Sequence, residues 1–218
     1  MSLTLYIGNK AYSSWSLRAW LALSATRAEF EEVRLALYQE GSTAELKRYS
    51  PTGRVPLLRD GELLIWDSLA ICEYLAEQFP PAHLWPAAVA DRARARAVSA
   101  EMHSGFAALR NALPMNARAA GRRVAIEPAV ASDIARVCAI WRECRARAGE
   151  RGPWLFGAFS IADCMYAPVV LRFHGYSVQC GPVEQNYVKA MLAHPALQAW
   201  VAAAKREPEV VAANEVGT

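Results

Sequence analysis

Leu3, Leu5 and Ile7 alternate with Thr4 and Tyr6, the period of two that sends successive side chains to opposite faces of a strand. Gly8-Asn9-Lys10 ends the run with turn chemistry. From Ser13 the period changes: Leu17, Trp20, Leu21 and Ser24 recur at helical spacing, and Ser13, Ser14 and Ser16 stand where side-chain oxygens cap the unpaired N–H groups of a first turn. Residues 30–37 read as a second strand and 43–49 as a short helix. Residues 55–59 and 62–66 read as two strands joined at Asp60-Gly61, a hairpin signal. Residues 68–77 return to helical spacing. The order is strand, helix, strand, short helix, hairpin, helix, which is the thioredoxin-like order.

Phe79-Pro80-Pro81 and Pro86 interrupt this pattern, because prolines stop a helix and stiffen a connector. Beyond them strand signals almost vanish. Val98, Met102, Phe106, Leu109 and Leu113 form one apolar stripe at helical spacing, which predicts a single long helix over 92–113. Further helices are predicted over 127–148, 160–173, 183–192 and 195–205. The chain therefore divides into an α/β thioredoxin-like domain (1–79), a linker (80–87) and an all-helical domain (88–218).

With 218 residues, 54% of them hydrophobic, there is enough apolar material for one large core or two modest ones. Twenty-four basic against 21 acidic side chains leave a net charge of +3, too balanced to draw nucleic acid or a membrane surface by bulk electrostatics. A small-molecule partner is the expectation. The five cysteines are scattered, with no C-x-x-C pair and no metal-ligand spacing with the four histidines, so they read as reduced thiols and no metal is expected. Residues 1–10 carry no basic segment ahead of an apolar run, and no stretch approaches the ~20 apolar residues of a membrane span. The expected address is cytoplasmic.

Three segments carry candidate chemistry. Tyr12-Ser13-Ser14-Trp15-Ser16-Leu17-Arg18 sets a hydroxyl cluster at a strand-to-helix turn. A helix N-terminus favours an adjacent anion, and if that anion is a thiolate, a serine donating to it lowers the thiol pKa toward neutrality. Plain N-capping by Ser13 or Ser14 accounts for the same residues. In Ser50-Pro51-Thr52-Gly53-Arg54-Val55-Pro56-Leu57-Leu58, Pro56 opens a strand, which suits a chain that exposes the backbone of Val55 to pair with a peptide ligand. An ordinary edge-strand proline fits as well. Trp66-Asp67-Ser68-Leu69 ends a strand and opens a helix whose donors suit a carboxylate, while Asp67 suits an ammonium group. A capped surface helix is the other reading.

In combination and in this order, the three segments resemble the N-terminal domain of the cytosolic glutathione transferases. The resemblance implies that Val55, with Arg54 and Pro56 beside it, pairs with the cysteinyl part of glutathione. It further implies that Asp67 and Ser68 hold the γ-glutamyl end, and that Ser13, or else Ser14, activates the thiol. The serine spacing looks most like the zeta class, whose members include maleylacetoacetate isomerases, with Trp15 standing where that class usually has cysteine. It reaches into the helical half at Gly157-Ala158-Phe159-Ser160-Ile161-Ala162-Asp163, where Ser160 and Asp163 have the spacing of a reciprocal capping box.

The family's second-substrate pocket would draw on Tyr12, Trp15, Met102, His103, Phe106 and Arg110. Of these, Met102 and Phe106 also belong to the core stripe, and His103 and Arg110 are two helical turns apart on one face. The activity implied is transfer of the glutathione thiolate to a small electrophile. A non-catalytic glutathione-fold binding protein and a glutathione-dependent peroxidase or isomerase are the alternatives. A homodimer is expected, with the arginine-bearing helix over 92–113 as the self-association face.

Overall fold

The computed structural model describes residues 2–39 and 41–217. β1 (Leu3–Ile7) pairs in parallel with β2 (Phe30–Arg34) and antiparallel with β3 (Leu57–Asp60), which in turn pairs with β4 (Leu63–Ile65). The sheet order is β2-β1-β3-β4. A parallel pair needs a crossover, and α1 (Ser14–Thr26) supplies it; α3 (Ser68–Gln78) packs beside α1, while α2 (Ser42–Tyr49) sends Leu46 to the opposite face of the sheet. β1 is buried on both faces. Leu3, Leu5 and Ile7 enter the main core, whereas Tyr6 joins Leu35, Leu46 and Leu57 in a small second cluster. The strand predicted over 30–37 stops at Arg34: the Leu35 amide makes a last bond to the Ile7 carbonyl (2.8 Å), and the Leu37 amide then donates to Asn9 Oδ1 instead (2.7 Å).

The helical half contains α4 (Val89–Ser104), α5 (Ala107–Ala112), α6 (Pro128–Ala148), α7 (Ile161–Gly175), α8 (Pro182–Leu192) and α9 (Pro195–Ala204). The single helix predicted over 92–113 is broken. Gly105 is extended and Phe106 adopts the left-handed conformation (φ 60°). A side chain at position 105 would meet the Glu101 carbonyl at 2.8 Å, so only glycine fits this break. The apolar stripe survives it: Val98, Met102, Phe106, Leu109 and Leu113 are all buried.

α7 is buried along almost its whole length and packs against α1 and α4. α1 lies between the halves, against α3 on one side and α7 on the other. The start of α7 carries the capping box: Asp163 accepts from Ser160 N (2.9 Å), Ser160 Oγ (3.0 Å) and Leu155 N (3.0 Å). After α9 the chain returns to the first half. The Glu207 carboxylate accepts from the Lys10 and Ala11 amides (2.7 and 2.9 Å), and Glu215 accepts from the Tyr12 hydroxyl (2.6 Å). Among the described residues, no helix is long and apolar enough to cross a membrane.

Candidate active site

Ser13 is the N-cap of α1. Its Oγ accepts from Ser16 N (3.3 Å) and donates to Ser16 Oγ (2.8 Å), and Ser16 Oγ also accepts from Gly8 N (3.0 Å). Ser14, the first residue of the helix, is half-buried, and its hydroxyl makes no hydrogen bond among the described residues. The Val55-Pro56 peptide bond is cis, and Val55 stands just ahead of β3, its backbone clear of the sheet ladder.

Asp67 is the N-cap of α3. Its Oδ1 accepts from Leu69 N (3.0 Å) and Ala70 N (3.3 Å), leaving Oδ2 to face His103 Nε2 of α4 at 2.9 Å. Ser68 is fully buried and its Oγ has no partner. Buried polar atoms are nearly always paired, so this hydroxyl is an exception, and it lies at the lining of a cavity.

These residues line two adjoining cavities. One, of about 500 Å³, is bounded by Thr52, Pro56, Trp66, Asp67, Ser68 and His103; the other, of about 580 Å³, by Tyr12, Ser13, Ser14, Met115, Asn214 and Arg172, among others. Trp15, Arg54, Val55 and Arg110 line both, so they form the shared wall. The Trp15 ring is clasped by the guanidinium groups of Arg18 and Arg110, 4.3 and 4.7 Å from its centroid, with His103 edge-on at 5.2 Å. Guanidinium groups over an indole face gain from its quadrupole, which holds the wall rigid.

The larger cavity is basic. Arg54, Arg110 and Arg172 line it, and among the described residues no carboxylate does. Arg172 is buried, spending Nε on the Leu113 carbonyl (2.7 Å) and Nη1 on the Pro168 carbonyl (3.3 Å). Arg18 is buried beside it, with Nε and Nη1 unpartnered. Burial first, and then the repulsion of the neighbouring arginines, pulls both guanidinium groups down to about 9. They remain cationic at neutral pH.

The structure thus brings together Tyr12, Ser13, Ser14, Trp15, Arg54, Val55, Pro56, Asp67, Ser68, His103 and Arg110. Met102 and Phe106 it does not: both sit in the core and line neither cavity, since the stripe that carries them faces α7 rather than the crevice. Tyr12 presents its ring to the larger cavity, but its hydroxyl is committed to Glu215 and Val211 N in the C-terminal segment and to Arg118 between α5 and α6. Sequence reasoning quoted Arg18 within the serine-bearing segment but gave it no role, and it missed Arg172. The signal for Arg172 was there, a lone charge in the apolar run Val169-Val170-Leu171-Arg172-Phe173.

Residues 12–78 match the N-terminal domain, and residues 87–203 the C-terminal domain, of glutathione S-transferases. The chain belongs to the glutathione S-transferase family. A probable maleylacetoacetate isomerase of Caenorhabditis elegans is 38% identical over 100 residues, covering 45% of this chain and 46% of that protein. One of Vibrio cholerae is 34% identical over 114 residues, covering 51% and 52%. The chain thus spans about half the length of the curated relatives it matches. A solved glutathione transferase homolog from Burkholderia GL BGR1, with bound glutathione, superposes with a TM-score of 0.71 at 25% identity, covering 94% of this glutathione S-transferase chain and 98% of that one.

Proposed function

We propose that the protein binds glutathione in the smaller cavity and transfers its thiolate to a small electrophile bearing an acidic group in the larger one. The observation that carries this is the shared wall. A crevice with an orphan serine hydroxyl and an aspartate meets a basic cavity at Trp15, Val55 and Arg110, beside the serine pair at the start of α1. In the smaller cavity, Ser68 and the N-terminus of α3 meet the γ-glutamyl carboxylate, Asp67 meets its ammonium group, and Val55 pairs with the cysteinyl backbone. The sulfur then lies at the wall, where Ser13 donates to the thiolate and the α1 N-terminus adds its partial positive charge. Arg110 and Arg172 receive the acidic group of the electrophile. Holding the two reactants in line supplies much of the rate.

The test pairs calorimetry with kinetics. Glutathione binds, and electrophiles supplied as free acids react with higher kcat/KM than their methyl esters. No heat at millimolar glutathione removes the reading altogether; faster reaction of the esters removes the acidic substrate.

A second reading is favoured by the names of the two relatives: addition of the thiolate to an unsaturated acid, rotation, and elimination of glutathione, a net isomerisation. The same cavity serves both. A homodimer belongs to the proposal as well, with the small-residue face of α4 (Ala90, Ala93, Ala97) as the contact, and so does a cytoplasmic address.

A further inference from the structure

The Ser13 and Ser16 hydroxyls form one hydrogen-bonded pair, 2.8 Å apart. Ser16 is fully buried on the first turn of α1. Its oxygen receives two donors, the Gly8 amide at 3.0 Å and the Ser13 hydroxyl at 2.8 Å, and among the described residues its own proton reaches no acceptor. A hydroxyl carries one donor and two acceptor sites, so with Ser13 as the donor the Ser16 hydroxyl holds two donors and meets no acceptor among the described residues.

The same bond can run the other way. If Ser16 donates to Ser13 Oγ, the Ser16 oxygen keeps the Gly8 amide as its donor. Ser13 Oγ then accepts from both the Ser16 hydroxyl and the Ser16 amide (3.3 Å), and the Ser13 proton is released toward the cavity that Ser13 lines. An anion at that point takes it up. The two arrangements differ only by rotation about two C–O bonds.

We propose that Ser16 is a positioning residue for thiol activation: it turns its hydroxyl onto Ser13 when the glutathione thiolate is bound, and so directs the Ser13 proton at the sulfur. This rests on the reading that Ser13 is the donor to the thiolate. No proton changes owner in the relay Gly8 N–H, Ser16 O–H, Ser13 O–H, sulfur; each group donates one hydrogen bond forward. Ser16 touches no reactant. Its contribution is that Ser13 Oγ, already carrying two donors, has no competing use for its own proton, and that a chain of hydroxyls polarises along its length.

The experiment reads the pKa of bound glutathione from thiolate absorbance in the ultraviolet, for the wild type, Ser13→Ala, Ser16→Ala and the double variant. Ser16→Ala raises the bound thiol's pKa by roughly one unit, the scale of a charge-assisted hydrogen bond, while glutathione affinity stays within about twofold because the backbone and head-group contacts remain. The double variant shifts no further than Ser13→Ala alone. A merely structural Ser16 would change the melting temperature and leave the titration where it was, and that result overturns the relay, as does an additive shift in the double variant. Should Ser16→Ala fail to fold, Ser16→Cys keeps the volume with a weaker donor, and its titration is read the same way. If Ser13→Ala itself leaves the titration unmoved, the underlying assignment of Ser13 fails; if it shifts and Ser16→Ala does not, the relay alone fails.

Discussion

Ser68→Ala separates a ligand contact from a helix cap more cleanly than any other substitution in the site. Ser68 is the first residue of α3, fully buried, and its hydroxyl is without a partner, while the cap itself is made by Asp67 through the Leu69 and Ala70 amides. In the unliganded chain the orphan hydroxyl therefore contributes nothing and costs the desolvation of a polar group, ~1–3 kcal/mol. On binding, a carboxylate at the helix N-terminus would accept from it. Hydrogen bonds to a charged group are worth ~1.5–3 kcal/mol, which is roughly ten- to hundredfold in Kd. The two effects have opposite signs: Ser68→Ala weakens glutathione binding by about that factor while leaving the unliganded protein as stable as the wild type or more so. Calorimetric titration gives the first quantity and urea unfolding without ligand the second. A Kd within about twofold of the wild type, accompanied by lost stability, would refute the reasoning and return Ser68 to a structural role.

His103→Phe removes the 2.9 Å contact that reaches from α4 to Asp67 Oδ2; it weakens glutathione several-fold but leaves an analogue lacking the α-amino group unaffected, and a cycle with Asp67→Asn shows the coupling in Kd. Arg172→Met raises KM for an acidic electrophile by roughly ten- to hundredfold, the worth of a hydrogen bond to a charged group, with little change for its ester; it also takes a donor from the Leu113 and Pro168 carbonyls, so the acid-to-ester ratio of KM, not stability, is the readout. Asp163, which burial holds up at about 6 against 3.8, contributes stability that is fully present below 3.8 and is lost as pH rises through 6. The urea midpoint of the wild type relative to Asp163→Asn therefore increases by the equivalent of about 2–3 kcal/mol between pH 7.5 and pH 3.5. Sedimentation of the wild type at micromolar concentration gives twice the 23.9 kDa of one chain.

The order of elements was legible because each carries its own periodicity: alternation in residues 3–7, helical spacing from Leu17, and Asp60-Gly61 at the hairpin. The break at Gly105 was not, because an apolar stripe continues through it and a lone glycine in a helical pattern carries no mark of the carbonyl that will crowd it. In the site, the three N-terminal segments stand together in space as they stand in the sequence. What sequence reading left out is what long-range packing supplies. Arg18 and Arg172 lie 154 positions apart and meet only because α1 packs on α7. The tail that ties Glu207 to Lys10 and Ala11, and Glu215 to Tyr12, spans nearly the whole chain. Met102 and Phe106 show the converse: their spacing placed them on one face correctly, but nothing in a period says whether that face looks into the core or into a cavity.

The basic wall also answers an electrostatic problem that the proposed reaction creates. A thiolate brought within about 5 Å of a carboxylate-bearing electrophile meets a repulsion of ~3 kcal/mol at an effective dielectric of about 20, enough to cost a hundredfold in encounter. The α1 N-terminus, worth about half an elementary charge, offsets only part of it. Arg110 lines both cavities, and Arg172 and Arg18 stand behind it, with no acidic side chain among the described residues lining the larger cavity. Their positive field is therefore available to both anions at once. Burying such charges is unfavourable in the empty protein, and it becomes favourable when two anions arrive together. That cost explains why the cluster sits where the halves meet: neither half alone has both the serine-bearing turn and Arg110 with Arg172, and only their packing through α1 and α7 puts thiolate and acceptor on the same positive ground.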